Sequence, residues 1–163
     1  MATIFSIVYQ PQDQAYGDRF DYFIRVPISP AKLIANHGIE GDDKAGRNPR
    51  RQLNILSYAW LMQRQKEGYK VEPGDFGEQL IIEGLDVENL PGGTQLQLGS
   101  DAIIEITFAR TGCIRLDAAQ GTEAVFAGAD IGMLASVIKS GLIKVGDPVI
   151  ALAKRFSDKG YDK

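Results

Sequence analysis

The sequence predicts a mainly β fold, a barrel with a few short helices, on three observations. Short apolar runs recur at close spacing along the chain, glycine-rich turn signals separate them, and one run alternates cleanly between two faces. The runs are Thr3 to Tyr9, Gln52 to Leu56, Gln79 to Glu83, Thr94 to Leu98, Ala102 to Phe108 and Asp147 to Leu152. Between them stand Pro73-Gly74-Asp75, Gly92-Gly93-Thr94, Gly99-Ser100-Asp101 and Gly146-Asp147-Pro148, where glycine and aspartate suit tight turns. In the clearest strand Ile104, Ile106 and Phe108 share one face, while Ile103, Glu105 and Thr107 share the other. Met133 to Lys139, the pair Ser140-Gly141 and Leu142 to Val145 read as strand, turn and second strand, with a helix over 131–139 the weaker reading.

Two helices complete the pattern. Ser57 is placed to cap a helix running through Glu67, with Gly68 as its stop and Trp60 as a packing residue. A shorter helix is expected from Thr122 to Ala127, capped by Thr122 and confined by Gly121 and Gly128. The chain reads as a single domain over residues 1–163 with a frayed charged tail from about residue 154, and no repeat or linker divides it.

Composition narrows the function classes. With 163 residues, 44% hydrophobic and 24% charged, the chain is the size of one domain that buries roughly 70% of its unfolded surface, enough to need neither disulfide nor structural metal. Eighteen basic and 21 acidic residues leave a net charge of −3, which argues against a dedicated nucleic-acid binder. The first nine residues carry no basic n-region and stop short of a signal peptide or membrane span, so a cytoplasmic protein is expected. The single cysteine, Cys113, excludes an internal disulfide.

Two segments can carry chemistry. Gly38 to Arg51 sets three glycines and a proline among Lys44, Arg47, Arg50 and Arg51, a loop able to offer backbone N–H groups and cations to an anion. Its glycine spacing fits neither a Walker-type loop nor a dinucleotide fingerprint, and on composition alone a solvated charged loop is the better reading. Ala109 to Leu116 follows the core strand and places Cys113 between Arg110 and Arg115, cations that favour the thiolate form needed for sulfur attack or metal ligation. Taken alone, a lone cysteine is more often a small buried hydrophobe.

Together the segments resemble the MOSC family, named for the C-terminal domain of molybdenum cofactor sulfurase. The resemblance lies in an ordered set: the glycine-acid loop Gly38-Ile39-Glu40-Gly41-Asp42, an arginine opening the next strand in Arg51-Gln52-Leu53, Pro73-Gly74-Asp75-Phe76-Gly77-Glu78, and the arginine-then-cysteine segment Arg110 to Cys113. It extends to the Gly99 turn and the closing Gly141…Val145-Gly146-Asp147. Three departures mark a divergent member: Lys44 stands where many members carry histidine, Gln79 where asparagine is usual, and Gly112 where proline is usual. The only histidine, His37, precedes the loop and reads as a loop residue.

The resemblance implies a MOSC-type β-barrel, a standalone domain without the aminotransferase-like half of larger relatives, and binding of the molybdenum cofactor, molybdopterin. Cys113 would then be catalytic, either carrying sulfur as a persulfide received from a sulfur-donor protein or ligating molybdenum as a soft sulfur. A phosphorylated pterin needs cations, and arginine's fork suits phosphate best. Arg51 and Arg110, each flanking a strand end, are favoured as anchors ahead of Lys44 and Arg115, with Arg47 and Arg50 in the same basic strip. Asp42, Asp75 and Glu78 fit turns rather than acid–base work. Pyridoxal phosphate is not expected, since Lys139 and Lys144 have no supporting motif. The expected role is sulfur transfer or reduction at the bound cofactor; the alternative is a non-catalytic module that carries molybdopterin or another anionic ligand.

Overall fold

The structure, a computed structural model, describes residues 1–152, so the charged tail expected from about 154 lies outside the described residues. The strands are β1 (Thr3–Tyr9), β2 (Val26–Pro27), β3 (Ala31–Ile34), β4 (Gly38–Ile39), β5 (Leu53–Ser57), β6 (Leu80–Glu83), β7 (Gln95–Leu98), β8 (Ala102–Thr111), β9 (Asp130–Lys139), β10 (Gly141–Ile143) and β11 (Val149–Ala151). The helices are α1 (Tyr58–Lys66) and α2 (Ile114–Gln120), with a 3-10 turn at Val87–Asn89. An eight-stranded sheet runs β11-β7-β8-β9-β5-β6-β1-β2, and a small second sheet runs β10-β3-β4. All neighbours are antiparallel except β5 and β6, which α1 connects as a crossover.

The fold is mainly β, but the expected closed barrel does not form. The sheet ends on β11 and β2. Its nearest approach to closure is an isolated bridge between Thr3 and Pro148, reinforced by Val149 N–H donating to Ala2 O (2.9 Å) and Ile4 N–H donating to Asp147 O (2.9 Å). The bridge stays isolated because the chain turns just before it, with Gly146 in a left-handed conformation (φ 94°) and Asp147 N–H donating to Lys144 O (3.0 Å), so no strand runs back from Pro148 alongside β1.

The expected strands are present with shifted ends, and two local expectations fail for visible reasons. In β8 the pairing with β9 slips between Ile106 and Ala109, which turns Phe108 outward (39% exposed) while Ile104, Ile106 and Arg110 stay inside. The helix expected at Thr122 to Ala127 is absent, and the helix lies one segment earlier. Cys113 takes the N-cap position of α2, and Gly121 ends it in a left-handed conformation that suits glycine. The Asp117 carboxylate then gathers the Thr122 hydroxyl (2.6 Å) and the N–H groups of Val125, Phe126 and Ala127 (3.0, 2.8 and 2.9 Å), donors that a helix would have turned on its own carbonyls. Ser57 precedes α1 as expected, yet its hydroxyl donates to Leu85 O and accepts from Val87 N–H instead of capping.

Two apolar cores result. The larger fills the space inside the strands, with Leu33, Ile55, Leu80, Leu96, Ile104 and Val137 among its members. The smaller, under α1 and α2, contains Leu61, Phe76, Leu116 and Phe126, with Trp60 and Phe126 both edge-on to Phe76 at 5.0 and 5.3 Å. It fixes the chain on both sides of Cys113. Gly112 N–H donates to Ala129 O (2.8 Å) and Gly112 O accepts from Gly128 N–H (3.0 Å), a pairing that excludes proline here, since proline has no N–H to donate. A Cβ at 112 would strike the Phe126 carbonyl oxygen and stand 3.1 Å from Ile131 Cγ1. Gly112→Ala is therefore expected to lower unfolding free energy by about 1–3 kcal/mol through overpacking, read from urea unfolding, and an unchanged midpoint would contradict this packing.

Candidate functional site

The site is organised by the turn at Pro73 to Glu78. Glu78 is fully buried, and its carboxylate accepts Gly74 N–H at 2.6 Å and Phe76 N–H at 3.2 Å, as a turn-holding acid should. With Phe76 locked in the smaller core, its own carbonyl and the next one accept cations. Arg110 Nη1 donates to Phe76 O, and Arg25 Nη2 donates to Gly77 O at 2.9 Å. Burial pushes the Glu78 carboxyl up to about 7, against the opposing pull of its N–H donors and of Arg110. Burial likewise draws Arg110 down to about 10, partly offset by Cys113 and Glu78, so the guanidinium keeps its charge at neutral pH.

The glycine-acid loop is tied down by a second buried carboxylate. Asp42 accepts Gln10 N–H (3.1 Å) and Gln79 Nε2 (3.0 Å), and Gln79 in turn accepts Asn54 N–H (2.7 Å). This chain links the loop to β5 and to the residue just before β6. Asp75 holds its own turn by accepting Glu72 N–H. His37 packs against the same loop near Gly46, as a loop residue.

These supports surround a cleft of about 450 Å³, within the range of small-ligand sites. Cys113 stands in it as a free, exposed thiol at the junction of β8 and α2. Of the residues singled out from sequence, Lys44, Arg47, Arg51, Arg110 and Arg115 line the cleft with it. Arg50 does not: its guanidinium lies over the exposed Phe108 ring at 5.1 Å. Arg25 adds a sixth cation that sequence reading missed, because nothing in Ile24-Arg25-Val26 signals its return to the Gly77 carbonyl. Tyr16 and Asn54 were missed likewise; Asn54 Oδ1 is buried without a hydrogen-bond partner and lines the cleft.

No carboxylate lines the cleft among the described residues. Arg47 pairs with Asp43 at 2.9 Å. Lys44 is half-buried and held below the usual lysine range, first by burial and then by Arg25, Arg47 and Arg115, with Asp43 opposing. Arg115 is held by the Tyr16 and Phe20 rings at 4.2 and 4.8 Å. Six cations lining one cleft with a thiol give it a strongly positive local field within an acidic protein.

Against known families, the MOSC domain model matches residues 42–150, a span that contains most of the basic loop, the 73–78 turn and Cys113. The chain belongs to the MOSC domain family. Membership supports a role related to the molybdenum cofactor in general. Among solved structures, YiiM from Geobacillus stearothermophilus is similar at 17% identity and a TM-score of 0.72, covering 96% of this chain and 78% of its own. YiiM from Escherichia coli is similar at 23% identity and 0.62, covering 94% and 71%. The YuaD protein from Bacillus subtilis is similar at 18% and 0.64, covering 91% and 94%. These likenesses establish the fold. No curated protein matches the chain. Among the described residues no helix is long and apolar enough to cross a membrane, and no cluster of three His, Cys, Asp or Glu side chains is placed to hold a metal.

The raised Glu78 carboxyl gives a pH dependence of defined sign. Because its folded value, about 7, exceeds the ordinary 4.5, its contribution to stability is complete below pH 4.5 and lost as pH rises through 7. Relative to wild type, Glu78→Gln should gain up to about 3 kcal/mol between pH 4.5 and 7 in urea unfolding, at 1.36 kcal/mol per pKa unit. Parallel stability profiles for the two proteins would contradict the assignment.

Proposed function

We propose that the cleft binds the molybdenum cofactor through the phosphate of molybdopterin, and that Cys113 works there as sulfur carrier or molybdenum ligand. The observation that carries this reading is the exposed thiol of a MOSC domain inside a cleft with six cations and no lining carboxylate among the described residues. The fit is chemical. Arg51 and Arg110 are the anchors assigned to the phosphate, with Lys44, Arg47 and Arg115 completing the positive field and Arg25 added to it. The unpartnered Asn54 Oδ1 offers an acceptor to a ring N–H. The bound group would supply molybdenum–dithiolene chemistry. With no cluster of His, Cys, Asp or Glu to hold a bare metal among the described residues, the ligands other than Cys113 would come from the pterin.

As a sulfur carrier, the Cys113 thiolate attacks the outer sulfur of a donor protein's persulfide, the donor S–S bond breaks, and the donor thiolate leaves. An acceptor then takes the terminal sulfur and returns Cys113 to a thiolate. Arg110, three residues before Cys113, lines the same cleft as the sulfur. In the alternative reading the same cations make a binding module that carries molybdopterin or another anion, with no reaction at sulfur.

Elemental analysis and cyanolysis of the purified protein distinguish these readings. Molybdenum without cyanide-labile sulfur supports ligation by Cys113, labile sulfur alone supports the carrier, and the absence of both contradicts the two active roles. Cys113→Ser is expected to abolish activity and sulfane sulfur in the active readings, whereas a module that only binds would retain its ligand unchanged.

A further inference from the structure

Two arginines from distant parts of the chain meet on the 73–78 turn. Arg110 Nη1 donates to Phe76 O and Arg25 Nη2 donates to Gly77 O at 2.9 Å, so the pair occupies consecutive carbonyls. Both guanidiniums also stand against one ring, with their central carbons 5.6 Å (Arg25) and 5.9 Å (Arg110) from the Phe23 centroid. Phe23, Arg25 and Arg110 all line the cleft. Phe23 and Arg25 precede the 42–150 span matched by the family model, so the pairing joins a turn inside that span to a segment outside it.

Glycines of the turn make room for both side chains. A Cβ at Gly74 would collide with Arg25 Cβ, and one at Gly77 would stand 2.8 Å from Arg110 Nη2 and 2.9 Å from Phe23 Cε1. Gly77 thus meets both guanidiniums: its carbonyl holds one, and its missing side chain leaves space for the other. Few of the available N–H groups are used. Beyond these bonds Arg25 Nη1 donates to Ile24 O at 2.7 Å, and Arg25 Nε is buried without a partner. Neither arginine is salt-bridged among the described residues, and no carboxylate among them lines the cleft. The nearby Glu78 carboxylate accepts Gly74 and Phe76 N–H instead. Two cations fixed on one turn with spare donors are costly until an anion neutralises them.

We propose that Arg25 and Arg110 form a two-guanidinium clamp for a single tetrahedral oxyanion, with Phe23 as their shared support, and that the ligand class is phosphate monoesters. A carboxylate fills one arginine fork, whereas two forks meeting at one residue suit the three terminal oxygens and nearly double charge of a phosphate ester. Identifying that ester with the cofactor's phosphate rests on the proposed function. Arg51, exposed in the lining, supplements the clamp and does not form it.

Calorimetric titration with inorganic phosphate at low ionic strength, on the full chain produced in cells that make no molybdopterin, tests the clamp. One phosphate per chain is expected, with acetate about tenfold weaker or more. Arg25→Lys keeps the charge but loses the fork, and it should weaken phosphate about tenfold or more. Arg47→Gln removes a whole charge from the same cleft and should weaken it only about threefold. The reverse order is the signature of a general positive field and overturns the clamp. Phe23→Leu leaves both carbonyl bonds available and should weaken phosphate several-fold, with urea midpoints showing which variants are folded. No phosphate on the wild type, acetate bound as tightly as phosphate, or wild-type affinity in a folded Arg25→Lys or Phe23→Leu protein overturns the clamp as well. A chain that passes these tests yet carries no molybdopterin when made in cells that supply it would sink the proposed function and leave the clamp standing.

Discussion

A buried carboxylate and a buried guanidinium share one turn, and the rest of the site depends on how that turn reconciles them. Glu78 and Arg110 are each removed from water, where an unpaired charge is costly. They do not form a direct salt bridge. Glu78 collects the inward N–H groups of Gly74 and Phe76, while the carbonyl of Phe76 receives Arg110. The peptide dipoles between them thus carry the interaction from acid to base. Phe76, wedged among Trp60 and Phe126, keeps the turn from rotating.

Function follows from the direction in which this arrangement points. Arg110 enters the cleft from β8 and Cys113 follows three residues later at the start of α2, so strand, turn and helix together set the position of the thiol. Asp42 performs the corresponding task for the basic loop by tying it to Gln10 and Gln79. Acidic residues therefore build the site from behind, and basic residues line the cleft. The net charge of −3 conceals that separation.

Much of this was legible in the sequence. The strand runs, α1, the turn-holding role of Glu78 and the clustering of Cys113 with five of six chosen cations all follow from local pattern and from the ordered motifs of the family. What escaped was long-range or hidden in irregularity. Arg25 reaches the site through a carbonyl 52 residues away. Phe108 leaves the core because of a slip in the ladder, and Arg50 goes with it to the outer surface. The helix after Cys113 was placed one segment late because Asp117, which reads as an ordinary helix residue, serves the following loop instead. Closure into a barrel stops at a single bridge, because the turn at Lys144 to Asp147 leads the chain away from β1 just before Pro148.

The most direct test of the central claim, that a phosphorylated pterin occupies the cationic cleft, is the fluorescence of oxidised pterin released on denaturing the purified protein. The wild type should release pterin in proportion to protein, and Arg51→Gln, a change at an exposed lining residue, should release several-fold less while remaining folded. A wild-type protein purified folded from cells that make the cofactor, yet releasing no pterin, would contradict it.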